Sequence, residues 1–226
     1  MLLAEEAPGL IGPGGWRRVT TEAGTFDAVV VGPGLGRHPS ALRRTRSFIA
    51  DLDRPTVVDA DGLNALATGD RWWQSMRAPL VLTPHPGEFA RLAPDAGRSL
   101  GEGDDARIEA ARTAALRWSQ VVVLKGAYTV VAAPDGEALH SSVATPALAT
   151  AGSGDVLAGA IGALLAAGLG PFEAAGCGVA IHAAAGLLAE DRIGRAGVIA
   201  RDIAALLPVA IEQLRAGSDE TGPKGR

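Results

Sequence analysis

Cysteine is nearly absent. Cys177 is the only one in 226 residues, which rules out an intrachain disulfide and a zinc–cysteine cluster and fits a reducing, cytoplasmic setting. Aromatic residues are also scarce, at 4% with a single tyrosine, whereas glycine reaches 30 residues. A core poor in rings and rich in Ala, Gly, Val and Leu implies close backbone packing. Positive charge is not in excess. The net charge is −4 and the pI about 5.6, which argues against general nucleic-acid binding, because that needs a basic surface to displace counterions. Long apolar runs are few. Glu5 and Glu6 interrupt the first, so no signal peptide is expected. Val156 to Leu169 is too short to span a bilayer. Ala174 to Ala189 carries His182 and many small residues, the composition of a buried helix, so no membrane partner is expected. Also lacking are a G-x-x-x-x-G-K-[ST] phosphate loop and, at Gly32 to Gly36, the third glycine of a dinucleotide fingerprint, since Arg37 stands in its place.

What is present is 47% hydrophobic, enough for a sizeable core in one domain. That domain is expected over residues 1–217, with a disordered tail from Ser218. Strands and helices alternate, the pattern of a mainly parallel sheet in an α/β/α arrangement. Buried strands are expected at Ala28 to Val31, Thr56 to Asp59, Leu80 to Leu82 and Val121 to Leu124. Pro134-Asp135-Gly136 reads as a hairpin turn between Tyr128 to Ala132 and Glu137 to His140. Helices are expected from Ser40, as cap, to Leu52, and over Asp104 to Trp118, where Ile108, Ala111, Ala115 and Trp118 share one face. Two Ala/Gly-rich helices follow, one beginning near Val156, and a last covers Ala200 to Leu214. Arg43, Arg44 and Arg46 read as a solvated helix face, His182 as a satisfied core histidine, and Trp72 with Trp73 as a packing edge.

The residues able to carry chemistry fall where the parallel strands end, which is where open α/β sheets bind ligands. Thr150-Ala151-Gly152-Ser153-Gly154-Asp155 opens a helix. Its glycines and the helix N-terminus aim backbone N–H groups at one point, an anion site suited to phosphate. Asp155 beside an anion suits a general base that takes a proton from a hydroxyl attacking phosphorus; a plain helix cap is the structural alternative. His85 is stiffly mounted between two prolines. Glu88 either favours a helix dipole or helps hold Mg²⁺ near phosphates. Lys125, at a buried strand end, needs a partner, and a nucleotide phosphate would supply one.

Taken in order, Val31-Gly32-Pro33-Gly34-Leu35-Gly36, Asp59-Ala60-Asp61-Gly62-Leu63-Asn64, Leu82-Thr83-Pro84-His85-Pro86-Gly87-Glu88, Leu124-Lys125-Gly126 with Thr129, and Ala151-Gly152-Ser153-Gly154-Asp155 resemble the carbohydrate-kinase-like NAD(P)H-hydrate dehydratases of the ribokinase-like superfamily. The resemblance covers about residues 27 to 215. It implies a three-layer α/β/α ribokinase-like fold and ADP-dependent dehydration of the S-epimer of hydrated NADH or NADPH, with release of AMP and phosphate. Gly34, His85 and Asp155 would contact the hydrated nucleotide. Lys125, Gly126, Ala127, Tyr128 and Thr129, with Gly152, Ser153 and Gly154, would contact ADP. Thr83-Pro84-His85-x-x-Glu88 also looks like the T-P-N-x-x-E element of related kinases, which implies Glu88 as the carboxylate on the Mg²⁺ side. A homo-oligomer, typically a tetramer, and a partnership with an NAD(P)H-hydrate epimerase are implied as well. Family members usually begin with a further strand–helix–strand region. Its apparent absence here leads to the expectation of one open sheet edge with an exposed apolar patch. Two other readings share these residues: a small-molecule kinase of the same superfamily acting on a vitamin precursor, and an inactive nucleotide-binding remnant.

Overall fold

The computed structural model describes residues 3–94 and 103–221. Its centre is a six-stranded sheet. β1 (Glu5–Ala7) and β2 (Leu10–Ile11) form a separate antiparallel hairpin, and α1 (Pro13–Ala23) follows it. The main sheet comprises β3 (Val29–Val31), β4 (Thr56–Val58), β5 (Leu80–Leu82), β6 (Val121–Leu124), β7 (Val130–Ala132) and β8 (Ala138–His140), in that spatial order. β3 to β6 are parallel, with Val30 opposite Val57, Val57 opposite Val81, and Val81 opposite Val121. β7 and β8 are antiparallel additions, joined by the expected turn, in which Asp135 Oδ1 accepts the Glu137 N–H. The sheet is therefore mainly parallel, as the strand–helix alternation implied.

Alternation along each strand divides the core. Val58, Leu80, Leu82, Val122 and Leu124 face α2 (Pro39–Asp51), α3 (Asp61–Leu66), α4 (Pro86–Leu92) and α5 (Asp104–Trp118). Val57, Val81, Val121 and Val123 face α6 (Ser153–Ala166) and α7 (Pro171–Ile193). This is the three-layer arrangement; α8 (Ala200–Thr221) packs outside α7 through Ile203, Leu206 and Ala210. The scarce aromatics are concentrated on the first face. Trp118 lies 5.4 Å from Trp72 and 5.9 Å from Phe89, and Trp16 lies 5.7 Å from Phe48, measured between ring centroids. Burying each such side chain contributes about 1.5–3 kcal/mol. Trp72 is therefore core rather than edge, while Trp73 sits outside it under Arg117.

By length and composition alone, α7 could cross a membrane. Here its small residues Ala174, Ala175, Gly178, Ala185 and Ala189 are buried between α6 and α8. Several expectations need correction. His38, not Ser40, caps α2: its ring accepts the Ser40 N–H. The cluster Arg43, Arg44 and Arg46 is not one solvated face, since Arg44 pairs with Glu6 and Arg46 donates to Thr68 Oγ1. Helix α6 starts at Ser153 rather than near Val156. Helix α8 continues past Leu214 and past Ser218 to Thr221; the rest of the expected tail, 222–226, lies outside the described residues. Residues 5–23 form a hairpin and a helix, with Pro13 opening α1 where a missing N–H costs nothing.

β3 is an edge strand. Val30 within it is 41% exposed, and Phe26 just before it is 59% exposed. A cleft of about 640 Å³ runs along this edge, lined by apolar residues that include Trp16, Val19, Phe26, Val30 and Leu35. The expected open edge with an apolar patch is present.

Candidate functional site

The C-terminal ends of β3 to β6 converge on a buried cluster of charge. Asp59, just past β4, is 1% exposed. Its Oδ1 accepts from Lys125 Nζ at 2.6 Å and from Thr83 Oγ1 at 2.8 Å. Glu88 Oε2 lies 3.9 Å from the same ammonium. The protein itself thus supplies, in Asp59, a partner for Lys125 where a nucleotide phosphate was expected to supply one. Lys125 Nζ spends one donor on Asp59 and stays partly open to the cleft, its side chain 19% exposed. The partners are 66 residues apart in sequence, beyond the reach of any local pattern, and the roles of Asp59 and Thr83 went unassigned for that reason.

His85 caps α4 through its ring. Nδ1 accepts the Gly87 N–H at 3.0 Å, and Glu88 Oε2 accepts the His85 N–H at 2.9 Å, a reciprocal capping box. The ring is exposed, with Nε2 3.5 Å from Glu88 Oε1. The imidazole is therefore oriented by its own helix, as the two flanking prolines suggested. Glu88 is buried and keeps Oε1 outside the backbone cap. Among the described residues there is no group of three His, Cys, Asp or Glu side chains arranged to hold a metal.

Gly34 lies in an exposed turn whose neighbour Gly36 donates its N–H to Asp61 Oδ2 at 2.8 Å. Asp61 Oδ1 accepts from Asn64, whose own amide oxygen accepts from Arg91 of α4, so the turns after β3, β4 and β5 are tied together. Gly32 is required where it stands: φ is +136°, and a Cβ would come within 1.7 Å of the Asp59 carbonyl oxygen.

Across β6 a cleft of about 470 Å³ collects Lys125, Gly126, Ala127, Thr129, Ser153 and Gly154, with apolar walls from Val143, Pro146, Leu148, Leu157 and Val179. These are six of the eight residues expected to contact ADP. The other two are placed differently: Tyr128 lies over the His140 ring, 5.8 Å between centroids, and Gly152 is the exposed N-cap of α6. Gly34, His85, Glu88 and Asp155 lie outside this cleft. Gly154 joins its two sides: a Cβ there would sit 3.1 Å from Lys125 Nζ and 3.8 Å from Asp59 Oδ2. Asp155 follows it in the first turn of α6 as an exposed carboxylate. The arrangement offers backbone donors and a cation on one side and a solvent-facing carboxylate next to them.

Two further residues shape the cleft and were not among the expected site residues. Arg107, on α5, donates to the carbonyls of Leu124, Lys125 and Ala127 and so holds the loop after β6. Its signal is weak in sequence, because a helical arginine is normally solvated. His182 of α7, 7% exposed, is hydrogen-bonded as expected for a core histidine, and it also lines the cleft. Burial is the main cause that lowers its pKa from 6.5 to about 4. The Lys125 charge acts in the same direction, and the hydrogen bond to the Ser153 backbone opposes them.

The chain matches the family model for NAD(P)H-hydrate dehydratase over residues 8–209. It belongs to that family. The matched region begins before the first motif and takes in the N-terminal helix. Over 213 residues the chain is 42% identical to the bifunctional NAD(P)H-hydrate repair enzyme Nnr of Thermofilum pendens, covering 94% of this chain and 40% of that protein. Over 138 residues it is 52% identical to the enzyme of the same description from Salinibacter ruber, covering 61% and 24%. The chain therefore spans less than half the length of these relatives. The ADP/ATP-dependent NAD(P)H-hydrate dehydratase from Bacillus subtilis, co-crystallised with ATP/Mg²⁺ and soaked with CoA, superposes with a TM-score of 0.72 at 30% identity, covering 88% of this chain and 72% of that one. A hydroxyethylthiazole kinase from Pyrococcus horikoshii shares the fold, with a TM-score of 0.66 at 17% identity.

Proposed function

We propose that this chain catalyses ADP-dependent dehydration of the S-epimer of hydrated NADH and NADPH, restoring the reduced nucleotide and releasing AMP and phosphate. The observation that carries the proposal is the meeting of Lys125 and the α6 N-terminus at Gly154 in one cleft, on a chain of the NAD(P)H-hydrate dehydratase family. A helix N-terminus and a fixed ammonium together suit a diphosphate. The apolar walls beyond them suit the flat base of a nucleotide.

The hydroxyl on the hydrated ring is a poor leaving group. Phosphoryl transfer from ADP forms a new O–P bond and breaks the bond to the AMP leaving oxygen. The ring nitrogen lone pair then expels phosphate, and loss of a proton from the adjacent ring carbon to the departing phosphate restores the double bond. Asp155 takes the hydroxyl proton. The amides of Gly152 and Gly154 and the Lys125 ammonium stabilise charge on the transferring group, the Ser153 N–H being donated to the Thr150 carbonyl, and positioning supplies much of the rate. Gly34 and His85 hold the hydrated nucleotide. Mg²⁺ would arrive with the phosphates, neutralising their charge. One protein carboxylate suffices beside phosphate oxygens, and Glu88, with Oε1 outside the cap, fits that place.

The relatives are described as bifunctional repair enzymes, which supports a partnership with an NAD(P)H-hydrate epimerase. A cytoplasmic, homo-oligomeric enzyme is the setting proposed. The test is to incubate the protein with hydrated NADH, ADP and Mg²⁺ and to follow the absorbance of the reduced ring. Recovery of that absorbance with equimolar AMP is expected. A stable phosphoester product without recovery would replace the proposal with a kinase.

A further inference from the structure

The deepest polar residue of the nucleotide cleft is Ser153, 3% exposed at the first position of α6. Its surroundings fix where its hydroxyl proton can go. His182 Nε2 lies 3.0 Å from the Ser153 carbonyl oxygen and 3.1 Å from Ser153 Oγ. A carbonyl oxygen only accepts, so Nε2 must carry the hydrogen. A protonated nitrogen cannot accept in turn, so the Ser153 hydroxyl and carbonyl oxygens share the Nε2–H as acceptors. Among the described residues, no carboxylate or carbonyl takes the hydroxyl proton. Both Ser153 and His182 line the cleft.

We propose that His182 is a positioning residue that presets the Ser153 hydroxyl as a hydrogen-bond donor to an anionic oxygen of the nucleotide. The inference rests on the nucleotide reading of the cleft given above. The imidazole acts in two ways. It pins the first residue of α6 from a neighbouring helix, 29 residues away, which holds the amide cradle in place. It also occupies the acceptor side of the hydroxyl, leaving the proton to point into the cleft. The same imidazole stays uncharged through the physiological range, so it adds no second cation beside Lys125 and keeps the required tautomer.

The test is a double-mutant cycle on ADP affinity, measured calorimetrically with Mg²⁺ present, using Ser153→Ala, His182→Leu and the two combined, with His182→Gln as the conservative variant. Gln carries an amide N–H near the place of Nε2–H. Loss of one hydrogen bond to a charged acceptor should weaken ADP binding by about tenfold or more in each single variant. Because His182 acts through Ser153, the double variant should be no weaker than the worse single one, and His182→Gln should stay within about threefold of the parent. Losses that multiply in the double variant mean independent, structural roles and overturn the inference. So does a His182→Gln variant as weak as His182→Leu. If His182→Leu does not fold, nitrogen chemical shifts of the His182 ring decide the tautomer: a hydrogen on Nδ1 alone at neutral pH refutes the inference. A parent protein that binds no ADP instead sinks the nucleotide reading itself, a result distinct from a parent that binds ADP with multiplying losses.

Discussion

Asp59→Ala removes the acceptor that Lys125 Nζ meets at 2.6 Å and Thr83 Oγ1 meets at 2.8 Å. The aspartate side chain is 2% exposed and the lysine side chain 19%, so water replaces little of what is lost. Glu88, 3.9 Å away, keeps some attraction, and Thr83 can fall back on the Val58 carbonyl at 3.3 Å. Breaking a buried pair by removing one member costs about 3–5 kcal/mol. For a domain of this size that is a fall in melting temperature of about 6–20 °C. Adding Lys125→Met should recover most of the loss, because the cost lies chiefly in the stranded charge rather than in the attraction itself. Urea unfolding followed by both tryptophan fluorescence and ellipticity measures the three proteins. A loss under about 1 kcal/mol in Asp59→Ala, or a double variant no more stable than the single one, would refute the buried-pair account.

Asp155→Asn keeps the size and much of the hydrogen bonding of the side chain; turnover of hydrated NADH should fall by at least about a hundredfold, while calorimetric ADP affinity changes far less, and equal losses in both would make Asp155 a ligand of nucleotide or metal instead. Gly154→Ala places a methyl group 3.1 Å from Lys125 Nζ; ADP affinity should drop by about tenfold while the helix propensity of alanine keeps the folding stability within about 1 kcal/mol of the parent, and unaltered ADP binding would contradict the close approach. Acid titration should show the mark of His182. Its folded pKa, about 4, is below the unfolded 6.5, so the unfolded chain binds the extra proton between these values. The stability due to a neutral His182 is complete above pH 6.5 and is lost progressively down to pH 4, by about 3 kcal/mol in all. His182→Gln should flatten that part of the profile, and parallel profiles for parent and variant would show that the ring is not held neutral.

The sheet was legible because its buried strands are short apolar runs bounded by glycine, proline or charged residues, as at Leu80 to Leu82 after Pro79 and Val121 to Leu124 before Lys125. The loops of the site were legible for a related reason: Gly32 stands where no side chain fits, and a Cβ on Gly154 would crowd Lys125 Nζ at 3.1 Å. What escaped the sequence is pairing at a distance. Nothing near Lys125 announces Asp59, and nothing in an alanine-rich helix announces that His182 reaches Ser153. The N-terminal hairpin escaped for another reason. Glu5 to Ile11 is short, half-exposed and broken by Pro8 and Gly9, so it has neither an apolar run nor a clean alternation. The cap of α2 was misplaced by two residues because serine is the commoner capping side chain, whereas here the His38 ring nitrogen does that work.

In the main sheet, spatial order and chain order coincide from β3 to β8. Each later strand finds its earlier neighbour in the sheet already made, with only the segment between the two to be closed into a loop. Assembly can therefore proceed by accretion at one side, and loop-closure entropy is met in small instalments rather than in one long-range step. The four parallel strands are complete once Leu124 has emerged, but the helix that bears Asp155 and the one that bears His182 come later still. During synthesis the sheet thus precedes the helices that wall the cleft, and a chain halted before residue 153 would carry the strand framework with the face toward α6 and α7 bare, a surface prone to aggregation.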